Sequence, residues 1–119
     1  MRILYAEDDT PMRGFLARAL QSAGHVVSDF SNGLEARDFW DSHGAEVDLI
    51  LTDIVMPGLD GFELAAHART TRPDIPVIYV TGFAAIGGTV DAGKGQVLQK
   101  PLHIRALLAQ IEDIAGQKG

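Results

Sequence analysis

Five short runs rich in β-branched and aliphatic residues alternate with segments long enough to form helices. The runs are "RILYA" (2 to 6), "HVVSDF" (25 to 30), "VDLILT" (47 to 52), "PVIYV" (76 to 80) and "QVLQ" (96 to 99). This alternation limits the fold more than any other feature. Strands that alternate with helices imply a parallel sheet, and right-handed crossovers place the helices on both of its faces. The expected fold is therefore α/β, a doubly wound five-stranded parallel sheet flanked by five helices. The first helix should start at Asp9 and Thr10, with Pro11 in its first turn, apolar Phe15, Leu16, Ala19 and Leu20, and Gly24 as its stop. The second begins near "SNGLEA" and carries Leu34, Phe39 and Trp40. The third, "GFELAAHARTT", closes before Pro73, and the last, "LHIRALLAQIEDIA", sets Leu107, Leu108, Ile111 and Ile114 on one face. The fourth, from about 84 to 92, should be short or mobile. Gly87 and Gly88 each cost about 1 kcal/mol relative to alanine inside a helix, and Gly93 and Gly95 follow.

A chain of 119 residues fits one domain, 1–119, with enough material for a real core. No apolar run approaches the roughly 20 residues that cross a bilayer. "MRILYAEDD" lacks the apolar core of a signal peptide, and the absence of cysteine removes any disulfide or thiolate-metal argument. A soluble, cytoplasmic protein without membrane contact is expected. Sixteen acidic residues against ten basic ones give a net charge of -6, and no Lys/Arg stripe appears on any segment. Such a surface repels a phosphate backbone, which argues against a nucleic-acid partner.

In an open α/β sheet, function gathers at the carboxyl ends of the strands near the topological switch point. Glu7, Asp8 and Asp9 follow the first strand, Asp53 ends the third, Thr81 follows the fourth, and Lys100 then Pro101 follow the fifth. All fall on one edge of the sheet. Glu7, Asp8 and Asp53 would repel one another, since two unit charges about 4 Å apart cost about 4 kcal/mol at an effective dielectric near 20. Lys100 offsets one of the three charges, and a divalent cation would neutralise the remainder. With oxygen ligands only and no clustered histidine, the ion should be hard: Mg²⁺ is favoured, with Mn²⁺ or Ca²⁺ as alternatives.

A carboxylate-held metal with open positions suits phosphoryl chemistry. Asp53 is placed to be the nucleophile, with Lys100 and the Thr81 hydroxyl holding the incoming oxygens, and the product would be an aspartyl phosphate. The break at Met56-Pro57-Gly58 turns the chain after Asp53, exposes its carboxylate and lets the Val55 backbone carbonyl face the metal. Singly these residues say little. An acidic pair after a strand more often caps a helix, as Asp9 is expected to do, and Thr81-Gly82 or Lys100-Pro101 alone would be an ordinary turn or boundary. Their joint placement carries the reading. His25, His43, His67 and His103 show no ligand spacing, and Trp40 reads as a packing residue.

"ILYAEDD", "LILTDIVMPGLDGFEL", "VIYVTG" and "LQKPL" resemble the receiver domain of two-component response regulators over essentially the whole chain. The resemblance implies a flavodoxin-like, CheY-like sheet in the order 2-1-3-4-5 and a cis bond between Lys100 and Pro101. It also implies that Asp53 is the phosphoacceptor, Asp8 a direct metal ligand and Glu7 a ligand through water. Thr81 would be the switch hydroxyl and Lys100 the phosphate-pairing lysine. A histidine kinase or histidine phosphotransferase would be the donor, and a target protein would bind the face of helix four, strand five and helix five, edged by Phe83, Ile86 and Leu102. Such a domain catalyses its own phosphotransfer and slow dephosphorylation, so it is a signalling domain rather than an enzyme.

Many members carry Tyr or Phe three residues before the lysine, where this chain has Val97, so a ring-flip readout there is ruled out. Phe83 and the glycine-rich segment after it are the expected substitute. Val55 and Phe83 flank the expected phosphate and are apolar, so neither can orient an attacking water, and slow dephosphorylation is expected.

Two rivals fit less well. An aspartate-nucleophile phosphatase needs a second Asp two residues on as general acid, where this chain has Val55. A flavodoxin-like cofactor binder needs a Ser/Thr/Gly loop after strand one, where Glu7-Asp8-Asp9 would repel a phosphate. Within the receiver reading the output is protein-protein contact: relay to a phosphotransferase, direct target binding as in chemotaxis-type regulators, or protease adaptation. "TGFAA" and "LTDIVMPGLDGFELA" resemble the CpdR-type regulators of alphaproteobacteria, which act with the ClpXP protease, and a receiver taken from a hybrid kinase would look similar.

Overall fold

The structure, a computed structural model, describes residues 1–82, 96–100 and 102–118. The expected fourth helix, Phe83, Ile86 and Pro101 lie outside the described residues. The strands are β1 (Arg2–Ala6), β2 (Val26–Phe30), β3 (Leu49–Asp53), β4 (Val77–Thr81) and β5 (Gln96–Gln99). The described helices are α1 (Thr10–Ser22), α2 (Gly33–His43), α3 (Gly61–Arg69) and α4 (Ile104–Lys118), with a 3-10 turn at Gly44–Glu46. All strand pairs are parallel and the order is β2-β1-β3-β4-β5, the expected doubly wound sheet.

Every position of β3 and β4 is buried, as befits central strands covered on both faces. Alternate residues supply two cores. Leu4, Ala6, Ile50 and Tyr79 pack under Trp40 of α2 and Leu64 and Ala68 of α3. Ile3, Tyr5, Leu51 and Val80 pack under Leu16 and Leu20 of α1 and Leu107, Ile111 and Ile114 of α4. Phe15 and Leu34 depart from a simple apolar-means-inside reading, because both are exposed. The inward stripe of α1 is centred on Leu16 and Leu20, and Phe15 lies about 100° away from Leu16 around the helix. β3 begins at Leu49, two residues into the apolar run, because the Val47 amide closes the 3-10 turn onto the Gly44 carbonyl at 3.2 Å.

Local chemistry sets the helix starts beside the sheet edge. The Asp9 carboxylate caps α1 by accepting from the Met12 amide at 3.1 Å, and Gly24, at φ 98°, supplies the left-handed residue that stops the chain after it. Asp60 and Glu63 form a reciprocal capping box at the start of α3. The chain runs from β1 outward to β2 and then back past β1 to β3, so the carboxyl ends of β1 and β3 diverge into a crevice. In that register Ala6 is level with Thr52 and Thr81 with Gln99, so Glu7 emerges beside Asp53 and Lys100 emerges one residue beyond Thr81.

Candidate functional site

Strand endings build the site. Asp53 is the last residue of β3 and is buried with its carboxylate turned to the crevice, where Lys100 Nζ donates to its Oδ2 at 3.0 Å. The same ammonium lies 3.1 Å from Oε1 of Glu7, which is 1% exposed. One lysine just past β5 thus bridges a carboxylate just past β1 and one at the end of β3. The other oxygen of Glu7, Oε2, accepts from the Asp9 amide at 3.2 Å, so both ends of this buried carboxylate have a partner. Asp8 is exposed at the rim. One ligand oxygen each from Glu7, Asp8 and Asp53 lie within 4.8 Å of one another, and no other such group of acids and histidines occurs among the described residues.

The electrostatics follow from burial. Glu7 is pushed up to about 7, chiefly by loss of water and further by the Asp53 charge, against the Asp9 amide and Lys100, which favour its ionised form. Burial works against the Lys100 ammonium, yet its hydrogen bonds and charge contacts with Asp53 and Glu7 outweigh that and hold its pKa above the usual lysine value. Three carboxylates against one lysine leave the crevice electronegative. The donor set is oxygen throughout and suits a hard divalent cation such as Mg²⁺, which takes carboxylates and keeps several waters.

Thr81 ends β4 fully buried, and its carbonyl accepts from the Lys100 amide at 2.7 Å, tying the lysine backbone to the strand that carries the hydroxyl. Val55 follows Asp53 in the turn with its side chain half exposed. Of the residues singled out in the sequence, Glu7, Asp8, Asp53 and Lys100 converge, and Thr81 stands on the strand next to Asp53. Val97 lies in register with Tyr79 and packs, partly buried, against the α2/α3 core. His67 pairs with Asp41 at 2.6 Å, His25 meets the N-terminal ammonium at 3.0 Å and His43 stacks on Phe39, and none of the three belongs to the Glu7, Asp8 and Asp53 group. Trp40 is a packing residue, 3% exposed.

Two residues at the site had no part in the sequence reading. Arg13 Nη1 donates to the Glu7 carbonyl at 2.9 Å. Gly61 packs so closely on the Asp53 carbonyl that a Cβ there would overlap it. The only advance signal for Arg13 was a cation one turn into a helix whose side chains lean back toward an acidic loop. Gly61 was hidden because close approach between backbones leaves no local mark.

No helix among the described residues is long and apolar enough to cross a membrane. The family model of the response regulator receiver domain matches residues 3–112. The chain is 45% identical over 114 residues to the response regulator receiver protein CpdR of Brucella abortus (strain 2308), spanning 93% of each. It is 36% identical over 115 residues to the sensor kinase CckA of the same organism, spanning 94% of this chain and 12% of that one. In three dimensions it is similar to the response regulator TrrA of Thermotoga maritima, solved in complex with Mg²⁺-BeF. The TM-score is 0.85 at 26% identity, covering 95% of this chain and 97% of that one. The matched segment runs from β1 into α4, takes in every strand end at the crevice, and agrees with the sheet order, so the chain belongs to the response regulator receiver domain family.

Proposed function

We propose that this chain is a receiver that accepts a phosphoryl group on Asp53 from a phosphohistidine donor and signals through protein-protein contact. The observation that carries the reading is the Lys100 ammonium held between Asp53 and Glu7 at 3.0 and 3.1 Å at the carboxyl edge of the sheet. An Asp53 oxygen attacks phosphorus, the phosphorus-nitrogen bond of the donor breaks, and its electron pair stays on the imidazole. Lys100 offsets the charge that builds on the phosphoryl oxygens, and the Thr81 hydroxyl, one strand away, donates to one of them. Glu7, Asp8 and Asp53 would hold Mg²⁺ together with the Val55 carbonyl, and the ion supplies further neutralisation of the phosphoryl oxygens when bound. The similarity to TrrA, solved with Mg²⁺-BeF, supports Mg²⁺ as the ion.

The half-exposed, apolar Val55 offers no group to orient water, so the aspartyl phosphate should be long-lived. The whole chain, 1–119, acts as one such domain in the cytoplasm, with no nucleic-acid or membrane partner. Its output face includes β5 and α4. The 45% identity to CpdR favours a stand-alone regulator of CpdR type, with protease adaptation as its output. The weaker match to part of CckA makes a phosphorelay or hybrid-kinase receiver the second reading.

Incubation with acetyl phosphate and Mg²⁺, followed by intact mass spectrometry, tests the first claim. The expected result is one alkali-labile, hydroxylamine-labile phosphoryl adduct that is lost in Asp53→Asn and with excess chelator. An adduct of equal yield in Asp53→Asn overturns it. Affinity capture with wild type and Asp53→Ala, with and without the phosphoryl donor, separates the outputs, since an adaptor's client changes with phosphorylation whereas a relay captures a histidine phosphotransferase.

A further inference from the structure

Three successive peptide groups lead into the acidic rim, and each is held by a different partner. The Glu7 amide donates to the Phe30 carbonyl at 3.0 Å, and the Asp9 amide donates to Glu7 Oε2 at 3.2 Å. Between them lies the Glu7–Asp8 peptide, whose carbonyl accepts from Arg13 Nη1 at 2.9 Å. Because a peptide is planar, fixing this carbonyl fixes the direction in which the Asp8 Cα, and with it the Asp8 carboxylate, leaves the strand. Asp8 is exposed and faces two like charges, so an unpinned peptide would relax outward and take that carboxylate from the other two.

Arg13 is itself anchored. Its Nε lies 3.3 Å from Asp29 Oδ2 in β2, and its side chain is 18% exposed. A guanidinium suits this place because its rigid fork can present one nitrogen to a carbonyl and another to a carboxylate, which a lysine cannot do in one geometry. We propose that Arg13 is a positioning residue for Mg²⁺ binding, acting through the Glu7–Asp8 peptide and held in place by Asp29. It touches neither the ion nor the phosphoryl group. The inference rests on the reading of Glu7, Asp8 and Asp53 as the Mg²⁺ site.

Calorimetric titration with Mg²⁺ alone, at neutral pH, tests it. Arg13→Met is expected to weaken Mg²⁺ binding about tenfold, the size seen when the partner that orients a metal ligand is removed. Acetyl phosphate labelling at saturating Mg²⁺ should stay within about twofold of wild type, since uniform binding is lost rather than transition-state contact. Arg13→Lys should recover only part of the affinity. Asp29→Asn, which leaves Arg13 in place without its anchor, should weaken binding in the same direction and guards against a folding defect in the first variant. Arg18→Met, on the exposed side of the same helix, should change nothing. Unchanged affinity in both Arg13→Met and Asp29→Asn overturns the inference, as does full recovery in Arg13→Lys or an equal loss in Arg18→Met. A wild-type chain that binds no Mg²⁺ overturns the proposed metal site itself, and this inference with it.

Discussion

Glu7 is a residue whose chemistry the fold alters within the ordinary pH range. Unfolded, its carboxyl loses a proton near 4.5, whereas in the folded chain burial lifts that to about 7. Between those two values the folded state holds a proton that the unfolded state has released. The contribution of Glu7 to stability is therefore greatest below 4.5 and is lost as pH rises through 7. His25, lowered by burial and by the N-terminal ammonium, acts the other way, adding stability as pH rises toward its ordinary value. We expect the urea midpoint of the metal-free chain to drop between about pH 5 and about pH 8, and Glu7→Gln to flatten that drop while leaving the His25 contribution in place. An equal slope in both proteins would contradict the assignment. That Glu7 stands at the strand-end crevice beside Asp8 and Asp53 was legible in the sequence. Its titration was not, because that depends on what covers it and on which side of Lys100 it lies.

The turn between β3 and α3 shows how a site is held at the level of elements. Gly58 adopts φ 80°, the Gly61 amide donates to the Ile54 carbonyl at 2.8 Å, and Asp60 and Glu63 cap α3 at once. A methyl group on Gly61 would strike the Asp53 carbonyl, which is backbone and cannot step aside. Gly61→Ala should cost about 2 kcal/mol or more in urea unfolding and slow acetyl phosphate labelling, because relief requires moving the backbone that carries Asp53, the proposed phosphoacceptor. Gly14, inside α1 with open space around its Cβ position, should respond with the opposite sign, gaining roughly 0.5–1 kcal/mol as alanine. At the far end of the sheet, Trp40 Nε1 donates to Thr71 Oγ1 at 3.2 Å. Arg72 lies 5.7 Å over the Trp40 ring and donates to the carbonyls of Gly44 and Val47. That clamp joins α2, the 3-10 turn and the approach to β4, so rigidity is supplied away from the edge where charge is concentrated. Helix existence and capping by Asp9 followed from local pattern, whereas the two-sided role of "GLDG" needed the neighbouring strand in place.

For the molecule as a whole, the acidic crevice gathers like charges that a bound cation would offset, so ion binding at the proposed site would be linked to folding. Mg²⁺ at about a hundred times its dissociation constant should add about 2.7 kcal/mol to stability, raising the melting temperature by several degrees, and chelation should reverse it. Asp8→Asn should abolish most of that shift, and a metal-independent melting temperature in wild type would count against the site. The sequence by itself pointed to the α/β class, since short, nearly continuous apolar runs alternating with helix-length segments favour a wound parallel sheet. It also determined that residues 7, 8, 53, 81 and 100 share an edge, because in a parallel sheet every strand ends on the same side. Only the tertiary structure decided that one lysine serves both buried carboxylates, that Asp8 stays at the rim, that Arg13 holds the peptide between Glu7 and Asp8, and that Gly61 must lack a side chain. Those facts are distances between segments far apart in the chain, and no local preference for helix, strand or turn contains them.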